Sequence, residues 1–579
     1  MGEATIRGSA KVGHPARVGR GAAGRDLALA CSAFAAALIL ASGAAAQPAT
    51  KLEATVSPQA AGGLVTGRLV VAVATQPAPE PRKAMGLNGP AIFGANVDRM
   101  AAGQWASVDA SARAFPIADL GALPAGDYYV QAVLIRYDQV RRADGHVIWV
   151  PTHHDGHVPF FELAGDLYSD VQKVHLDPAR GFDVKMTLAH VIPPPPPPVD
   201  TPWIKHVRIK SELLTRFWGT PTYLSAAVLL PRGYDDHPRA HYPAVYANSH
   251  SETPYSFSFT PPTAEEIADA KASNVQTGYD FQKTWLSDGY PRFVAIAPFE
   301  SSPYFLEAYA VDSVNNGPYG QAITTELIPY LEKTFRLIPK PYARFVQGAS
   351  TGGWETLALQ LKYPDFFGGA WVYNPDPISF THWQTADIYK DDNLFSVAYS
   401  PLLSVERPFR RSTDGTPSFT QRQLAQFEAV QGDHRRSGMQ LAIWEATYGP
   451  VGADGYPVAL FDDRTGKIDH GVADYMRAHG YDLTEYARDN WATLGPKLAG
   501  KLNFISGEMD NFYLNLGVYD FEAMVKAVAG PGYPIRFVYG RPEKGHNWHH
   551  KDFSAMIREM AEQAKRTAPA GEDTGQWNY

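Results

Sequence analysis

Residues 348–353 carry the pattern in this chain that is best suited to chemistry. They read Gly-Ala-Ser-Thr-Gly-Gly and lie between a strand-like run, 343–347, and a helix-like run, 354–361. A G-x-S-x-G sequence in that context forms a sharp turn that exposes the serine hydroxyl at the end of a sheet. The turn is tight, so small residues must flank the serine. The pattern predicts that Ser350 is a nucleophile; the alternative is a glycine-rich turn without chemistry.

A serine nucleophile requires a base, because its hydroxyl attacks poorly at neutral pH unless a neighbouring group takes the proton. On parallel α/β sheets the chain order is serine, acid, histidine, with the histidine in a loop after the last strand. His546 follows the strand-like run 535–539 and a glycine, so we predict that it is the base. His549 and His550 share this loop and are the alternatives, although we expect them to begin the next helix.

The acid that orients the histidine should follow the preceding strand. Asp510 comes shortly after the apolar run 502–505 and is the predicted acid, with Glu508 as the nearest alternative. Asp376 remains a third candidate, since some hydrolases place the acid after the strand that follows the nucleophile. Its alternative role is to cap the segment that it opens.

Two backbone amides are predicted to form an oxyanion hole. The amide of Thr351 lies at the start of the helix, where free N–H groups and the helix dipole favour negative charge. The second predicted donor is the amide of Ser251, in the loop after the strand-like run 244–247. His250 is expected to orient this loop rather than to transfer protons.

The surrounding sequence predicts an α/β layer in which short apolar strands alternate with helices. A helix is predicted over 322–335, where Ile323, Leu327, Leu331 and Phe335 share one stripe. The stretch 377–498 interrupts the pattern, and we expect it to be a helical insertion that acts as a lid. The predicted strands are 226–230, 244–247, 293–297, 370–373, 502–505 and 535–539.

The region before this layer has a different pattern. Residues 47–192 contain strand-like runs at 64–73, 127–135 and 182–188, and little helical periodicity, which predicts an N-terminal β-sandwich domain. Six consecutive prolines at 193–198 favour a semi-rigid polyproline II segment. We therefore predict a linker at 193–200 and a catalytic domain at 201–579.

The first 46 residues resemble an export signal. A basic leader precedes an apolar run from Leu27 to Leu40, and Ala44-Ala45-Ala46 offers a cleavage site. Cleavage there predicts a periplasmic or secreted protein, and a retained membrane anchor is the alternative. The single cysteine, Cys31, lies inside this segment, so we expect no disulfide and no thiolate chemistry in the mature chain.

Composition and motifs also limit the partners and cofactors. The net charge of −8 over 579 residues argues against a nucleic-acid partner. The run His153-His154-Asp155-Gly156-His157 could suggest zinc, but a solvated turn is favoured because adjacent histidines on a strand face opposite sides. No phosphate-binding or dinucleotide motif is present, so we expect neither metal nor cofactor. Association of the chain with itself is left open.

Four segments together resemble the putative-esterase (esterase D-like) family of α/β-hydrolases. This resemblance implies an α/β-hydrolase fold, here preceded by the β-sandwich, and the triad Ser350, Asp510 and His546. The chain departs from the family at His250-Ser251, where a His-Gly pair is common, and in the length of the 377–498 insertion. The four segments are 326–332, 348–353, 362–369 and 507–510.

The function expected from these residues is an exported serine hydrolase that cleaves carboxylic esters through an acyl-enzyme. Its substrate would be a small-molecule or carbohydrate-linked ester. A serine peptidase of the prolyl-oligopeptidase type is one alternative, although residues 50–192 are too few for its propeller. Acyl transfer through the same acyl-enzyme is another, and a non-catalytic binding protein on this scaffold is the third.

Overall fold

The computed structural model describes residues 49–151, 160–248 and 253–579. Four sequence predictions lie outside these residues: the export signal at 1–46, the histidine cluster at 153–157, the loop-orienting role of His250 and the oxyanion donor Ser251.

The N-terminal region is built from strands, as its alternating apolar pattern predicts. Nine of them form one hydrogen-bonded sheet in the order β4-β1-β11-β9-β6-β2-β3-β5, with β10 also paired to β6. The remaining two, β7 and β8, form a separate hairpin. The strands are β1 (Thr50–Val56), β2 (Val65–Ala74), β3 (Ala91–Met100), β4 (Trp105–Val108), β5 (Arg113–Phe115), β6 (Gly126–Arg136), β7 (Asp138–Arg141), β8 (Val147–Val150), β9 (Leu167–Ser169), β10 (Gln172–Leu176) and β11 (Phe182–Val191).

One element in this region differs from the prediction. The run 64–73, predicted as a pair of strands, is the single strand β2. Gly67 lies at a register shift against β3, and a Cβ atom there would come within 2.0 Å of the Ile135 carbonyl oxygen. The glycine therefore allows close backbone approach inside a strand and does not make a turn.

The second large sheet has eight strands in the order β12-β13-β15-β14-β18-β19-β24-β25. The pairs β12–β13 and β13–β15 are antiparallel, and the other five pairs are parallel. Its strands are β12 (Ile204–Ser211), β13 (Thr222–Leu229), β14 (Ala244–Asn248), β15 (Val294–Phe299), β18 (Arg344–Ser350), β19 (Gly369–Pro375), β24 (Leu502–Gly507) and β25 (Arg536–Gly540).

Three hairpins complete the strands. They are β16 (Asp312–Ser313) with β17 (Gly317–Pro318), β20 (Ser396–Ser400) with β21 (Leu403–Glu406), and β22 (Pro408–Arg411) with β23 (Pro417–Thr420).

Helices connect the parallel strands and cover the sheet. A π-helical turn, Ile323–Leu327, joins α5 to α6, so the helix predicted at 322–335 is continuous. Helix α7 follows the nucleophile motif and is buried around its whole circumference. The helices are α1 (Pro58–Ala61), α2 (Glu212–Trp218), α3 (Ala264–Ser273), α4 (Gly278–Trp285), α5 (Tyr319–Ala322), α6 (Ile328–Thr334), α7 (Thr351–Lys362), α8 (Gln421–Gln431), α9 (Gln440–Tyr448), α10 (His470–Ala478), α11 (Leu483–Asp489), α12 (Trp491–Leu498), α13 (Asn515–Ala529) and α14 (Phe553–Thr567).

The insertion at 377–498 contains strands as well as the predicted helices. It carries two hairpins, β20–β21 and β22–β23, followed by α8 to α12. Its aromatic residues show no strand spacing, so the sequence pattern did not reveal the hairpins. That the segment acts as a lid stays a prediction.

The N-terminal sheet packs against this insertion. Phe115 and Phe427 pack edge to face, with ring centroids 5.4 Å apart, inside an apolar cluster that also contains Val430. The Arg68 guanidinium donates to the carbonyl oxygens of Val430 and Ala429, both at 2.9 Å. These carbonyls lie at the end of α8 and have no intrahelical partner. Residues 48–579 thus form one compact unit.

Candidate active site

The motif around Ser350 forms a strained turn between β18 and α7. Ser350 has φ 58° and ψ −122°, a left-handed conformation that is uncommon for a residue with a side chain. A Cβ atom on Gly348 would lie 2.2 Å from the Gly352 carbonyl oxygen, and one on Gly352 would lie 2.2 Å from the Asn248 carbonyl oxygen. The turn therefore requires glycine at both positions, and it leaves the Ser350 side chain half-buried.

Asp510 and His546 lie in contact. The Asp510 Oδ2 atom is 2.7 Å from His546 Nδ1, and the carboxylate is fully buried. The other carboxylate oxygen accepts hydrogen bonds from the amides of Phe512 and Leu514, at 2.8 and 3.1 Å. A carboxylate held in this way fixes the tautomer and orientation of the imidazole.

The loop that carries His546 is held by the Asp510 loop and by the end of β19. The Asn511 Oδ1 atom accepts from the His546 amide at 2.9 Å, and the Phe512 ring packs edge-on against the imidazole at 4.9 Å. Asn374, at the end of β19, donates through Nδ2 to the His546 carbonyl oxygen and accepts the Gly507 amide at 3.0 Å. Asn374 thus connects the strand beside the nucleophile to both the acid strand and the histidine loop.

Asp376 lies directly beside the nucleophile. Ser350 Oγ donates to Asp376 Oδ1 at 3.2 Å, and the Asp376 amide donates to the Ser350 carbonyl oxygen at 3.0 Å. The carboxyl is only 3% exposed. Asp376 was the third candidate for the acid, and the structure brings it to Ser350 rather than into a hydrogen bond with His546 Nδ1.

Four donors converge on the other oxygen of Asp376. Thr351 Oγ1 donates at 3.0 Å, Gln440 Nε2 at 3.1 Å and Trp444 Nε1 at 3.3 Å, and the Tyr309 hydroxyl also donates. Burial raises the pKa of Asp376, while these hydrogen bonds and the charge of His546 act in the opposite direction. His546 therefore lies within electrostatic reach of the carboxylate that contacts Ser350.

The alternative candidates have other partners. Glu508 pairs with Arg541 at 3.3 Å and accepts the Glu543 amide at 3.1 Å. His549 is buried, and its Nδ1 lies 3.1 Å from the Asn547 carbonyl oxygen; burial lowers its pKa to about 4. His550 lies 3.1 Å from an Arg536 guanidinium nitrogen. Both histidines precede α14, which starts at Phe553, so the expectation that they begin this helix is wrong by a few residues.

Thr351 is the first residue of α7 and is completely buried. Its amide has no intrahelical carbonyl to bind, because the first N–H groups of any helix precede their acceptors. No carbonyl oxygen of the helix competes for this N–H, which is the kind of donor that binds anions at helix N-termini. Ser251, the other predicted oxyanion donor, lies outside the described residues.

A hairpin of the insertion supports the acid loop. The Arg411 side chain, on β22, donates through Nε to the Asp510 carbonyl oxygen at 2.9 Å and through Nη2 to Asn515 Oδ1 at 3.2 Å. Its guanidinium also stacks on the Tyr513 ring at 4.3 Å. The insertion thus contacts both the Asp510 loop, through Arg411, and the Asp376 carboxyl, through α9.

Sequence reasoning did not identify Tyr309, Gln440, Trp444 or Arg411. They lie far from Ser350 and Asp510 in sequence, and none belongs to a recognisable motif. The only local signal was Asn374-Pro375-Asp376, directly after an apolar strand, which drew attention to Asp376 but not to Asn374.

Two further findings apply to residues 49–151, 160–248 and 253–579. These residues include no cluster of three or more side chains suited to a metal ion. They also include no helix whose length and apolarity would allow it to cross a bilayer.

Comparison with known proteins finds a family match for one segment of the chain. Residues 220–407, which include the turn at Ser350, match the family model described as Putative esterase. This segment of the chain is esterase-like in sequence. The resemblance predicted from the sequence is therefore confirmed, and it supports an ester-hydrolysing enzyme with an α/β-hydrolase-like fold. No curated protein matches the sequence significantly.

The solved structures that resemble this chain have low overall similarity to it. A ferulic acid esterase is 14% identical with TM-score 0.33, and covers 63% of this chain and 98% of its own. The S-formylglutathione hydrolase from Agrobacterium tumefaciens is 13% identical with TM-score 0.30, covering 63% and 95%. FphF, a fluorophosphonate-binding serine hydrolase from Staphylococcus aureus, is 13% identical with TM-score 0.28, covering 62% and 98%. TM-scores this low do not establish a shared fold, so the resemblance to esterases rests on the family match at residues 220–407.

Proposed function

We propose that this esterase is an exported serine hydrolase that cleaves carboxylic esters through a Ser350–His546–Asp510 triad. The observation that supports this most is the 2.7 Å contact between Asp510 Oδ2 and His546 Nδ1 at the same sheet edge as Ser350. The positive φ of Ser350 at the start of a buried helix supports it further, since a nucleophile turn has this geometry.

The proposed reaction follows the chemistry of such a triad. His546 takes the proton of the Ser350 hydroxyl as the oxygen attacks the ester carbonyl. Asp510 stabilises the resulting imidazolium, and the amides of Thr351 and Ser251 bind the oxyanion. His546 then gives its proton to the leaving alcohol. Water, activated by the same imidazole, cleaves the acyl-enzyme and restores Ser350.

The Asp510 environment supports its role as the triad acid over that of Glu508. Asp510 is fully buried, contacts the imidazole and accepts hydrogen bonds from two backbone amides. Glu508 instead forms an ion pair with Arg541.

The remaining parts of the chain have proposed roles as well. We propose a signal at 1–46, an N-terminal β-sandwich domain at 47–192, a linker at 193–200 and a catalytic domain at 201–579. Export would place the enzyme in the periplasm or outside the cell. The substrate is proposed to be a small-molecule or carbohydrate-linked ester, with the insertion at 377–498 as a lid over part of the site.

A fluorophosphonate probe tests the nucleophile. The mature enzyme should be labelled stoichiometrically, and the Ser350→Ala variant should not be labelled. Ser287→Ala is a matched control. Ser287 follows α4, and its hydroxyl donates to the Thr284 carbonyl oxygen inside that helix, so this variant should be labelled like the parent. Labelling of the Ser350→Ala variant at the parent rate would refute the proposal.

A substrate panel tests the reaction class. We expect hydrolysis of aryl acetate, short-chain and feruloyl esters and little turnover of dipeptidyl amides. Preferential amide cleavage would favour the peptidase instead. Transfer of the acyl group to an added sugar or lipid alcohol, in place of hydrolysis, would show acyl transfer.

A further inference from the structure

We infer that Asp376 is a positioning residue for the nucleophile and that helix α9 of the insertion holds it in place. This inference rests on the proposed function of Ser350. Asp376 would position the Ser350 hydroxyl, whereas the triad acid Asp510 orients His546. Helix α9 of the insertion would hold the Asp376 side chain in place.

Asp376 holds Ser350 through both backbone and side chain. Its amide donates to the Ser350 carbonyl oxygen at 3.0 Å, and its Oδ1 atom accepts the Ser350 hydroxyl at 3.2 Å. A free serine side chain samples three staggered rotamers. One fixed acceptor beside the hydroxyl selects among them, and the backbone bond helps to maintain the strained φ of the turn. Ser350 Oγ is thereby kept in one place before substrate arrives. Its single hydrogen, which Asp376 accepts in this state, must turn to His546 when the serine attacks.

The position of Asp376 is itself set by α9. Gln440 and Trp444 are four residues apart and therefore share one face of this helix. Gln440 donates to Asp376 Oδ2 and to the Tyr309 hydroxyl. The single indole N–H of Trp444 is shared between the same two acceptors and lies closer to the Tyr309 hydroxyl, at 2.6 Å against 3.3 Å. That hydroxyl in turn donates to Asp376 Oδ2. The start of α9 is anchored as well, because buried Glu428 accepts the amides of Leu441 and Ala442 at 2.9 and 3.0 Å.

The hydrogen bonds to Asp376 Oδ2 also reduce the effect of its negative charge on Ser350. A bare carboxylate 3.2 Å from Ser350 Oγ would oppose the negative charge that develops when the serine attacks. Four hydrogen bonds to Oδ2 spread the charge of Asp376 onto Tyr309, Thr351, Gln440 and Trp444. Asp376 can thus hold the hydroxyl while its charge is drawn toward the far side of the carboxylate.

The test compares Asp376→Ala with Asp376→Asn and Tyr309→Phe in the mature enzyme. For Asp376→Ala we expect kcat for an aryl acetate and the rate of fluorophosphonate labelling to fall about 100-fold with KM unchanged, since misplacement of a reacting group has effects of this size. Asp376→Asn keeps the shape and an acceptor, so it should recover part of the rate. Tyr309→Phe removes one donor and should lower kcat less than Asp376→Ala does.

A buried aspartate elsewhere supplies the control. Asp166, in the N-terminal region, is 2% exposed and accepts the Arg136 amide at 2.9 Å. Asp166→Ala should lower the thermal unfolding midpoint but leave kcat and the labelling rate unchanged. A similar loss of kcat in this variant would mean that general destabilisation explains the effect.

The possible outcomes separate this inference from the proposed function. A folded Asp376→Ala variant with kcat and labelling within about threefold of the parent would overturn the inference, as would a loss confined to KM. If Asp376→Ala does not fold, Tyr309→Phe decides: a folded Tyr309→Phe variant whose kcat and labelling rate equal those of the parent would overturn the inference. Absence of Ser350 labelling in the parent enzyme would instead refute the proposed function.

Discussion

At the scale of single residues, two carboxylates near the proposed nucleophile have different surroundings. Asp510 contacts His546 and is otherwise held by backbone amides, whereas Asp376 contacts Ser350 and is held mainly by side chains. The difference follows from their positions after β24 and β19. Asp510 therefore contacts His546, and Asp376 contacts the Ser350 hydroxyl.

Asp510→Asn should therefore abolish most of the activity. The amide keeps the shape of the side chain but cannot stabilise the imidazolium, and kcat should fall about 10³- to 10⁴-fold with little change in the circular dichroism spectrum. Steady-state kinetics on an aryl acetate provide the measurement. Glu508→Gln is the matched control and should keep kcat near the parent value; the opposite ranking of the two variants would make Glu508 the acid.

At the scale of elements, the strand–turn–helix unit around Ser350 depends on close backbone approach. The carbonyl oxygen of Asn248, at the end of β14, lies 2.2 Å from the position that a Cβ atom of residue 352 would take. Helix α7 can begin directly after the serine only because Gly352 leaves this space open. The turn therefore couples two neighbouring strands to the N-terminus of the helix.

Gly352→Ala tests this coupling. The new methyl group would lie 2.2 Å from the Asn248 carbonyl oxygen, so the helix start or β14 must move. Because a shift of about 1 Å at a reacting group can reduce the rate 100-fold, we expect at least that loss in kcat. Gly532→Ala is the control, since a methyl group at that position would have no other atom within 4 Å. Equal activity of the two variants would contradict the steric argument.

At the scale of the whole molecule, the N-terminal sheet is joined to the hydrolase region by specific contacts as well as by the proline-rich segment. Arg68 is only 4% exposed and binds the carbonyl oxygens at the end of α8. The Arg113 Nη2 atom donates to both carboxylate oxygens of Asp463, at 2.9 and 3.0 Å. Since α8 belongs to the insertion, the stability of the insertion and of the N-terminal sheet should be coupled.

Arg68→Ala should lower the free energy of unfolding by about 2–3 kcal/mol, because it leaves buried carbonyl groups without a charged donor. The thermal unfolding midpoint measures the effect. Arg180→Ala is the control, since this side chain is 88% exposed and should leave the midpoint unchanged. An unchanged midpoint for Arg68→Ala would show that the contact with α8 contributes nothing to stability.

His549 should make stability depend on pH. Its pKa in the folded protein is lowered from 6.5 to about 4 by burial, so the unfolded chain binds more protons between these values. Stability from this residue is complete above pH 6.5 and falls by about 3 kcal/mol as the pH drops to 4. His549→Phe, which keeps an aromatic ring beside Tyr373, should remove this part of the pH dependence. The free energy of unfolding of both proteins, measured between pH 4 and 6.5, checks this. An equal change with pH in the two proteins would contradict the prediction.

Local sequence patterns predicted most elements around the proposed site and the residues at their ends. Apolar, unalternating runs predicted the parallel strands β14, β15, β18, β19, β24 and β25, because burial on both faces leaves that pattern in the local sequence. The order of the motifs placed Asp510 and His546 at neighbouring strand ends, where the structure has them in contact. Their catalytic roles remain proposals.

The distant side chains that complete the surroundings of Ser350 follow from the way the chain folds and could not be read from local sequence. Tyr309, Gln440 and Trp444 meet Asp376 because a loop and α9 fold over the end of the sheet, and Arg411 reaches the Asp510 loop from a hairpin. Local patterns record which face of an element is buried and where it ends. They do not record which segment, far away along the chain, supplies the hydrogen bonds that a buried carboxylate requires.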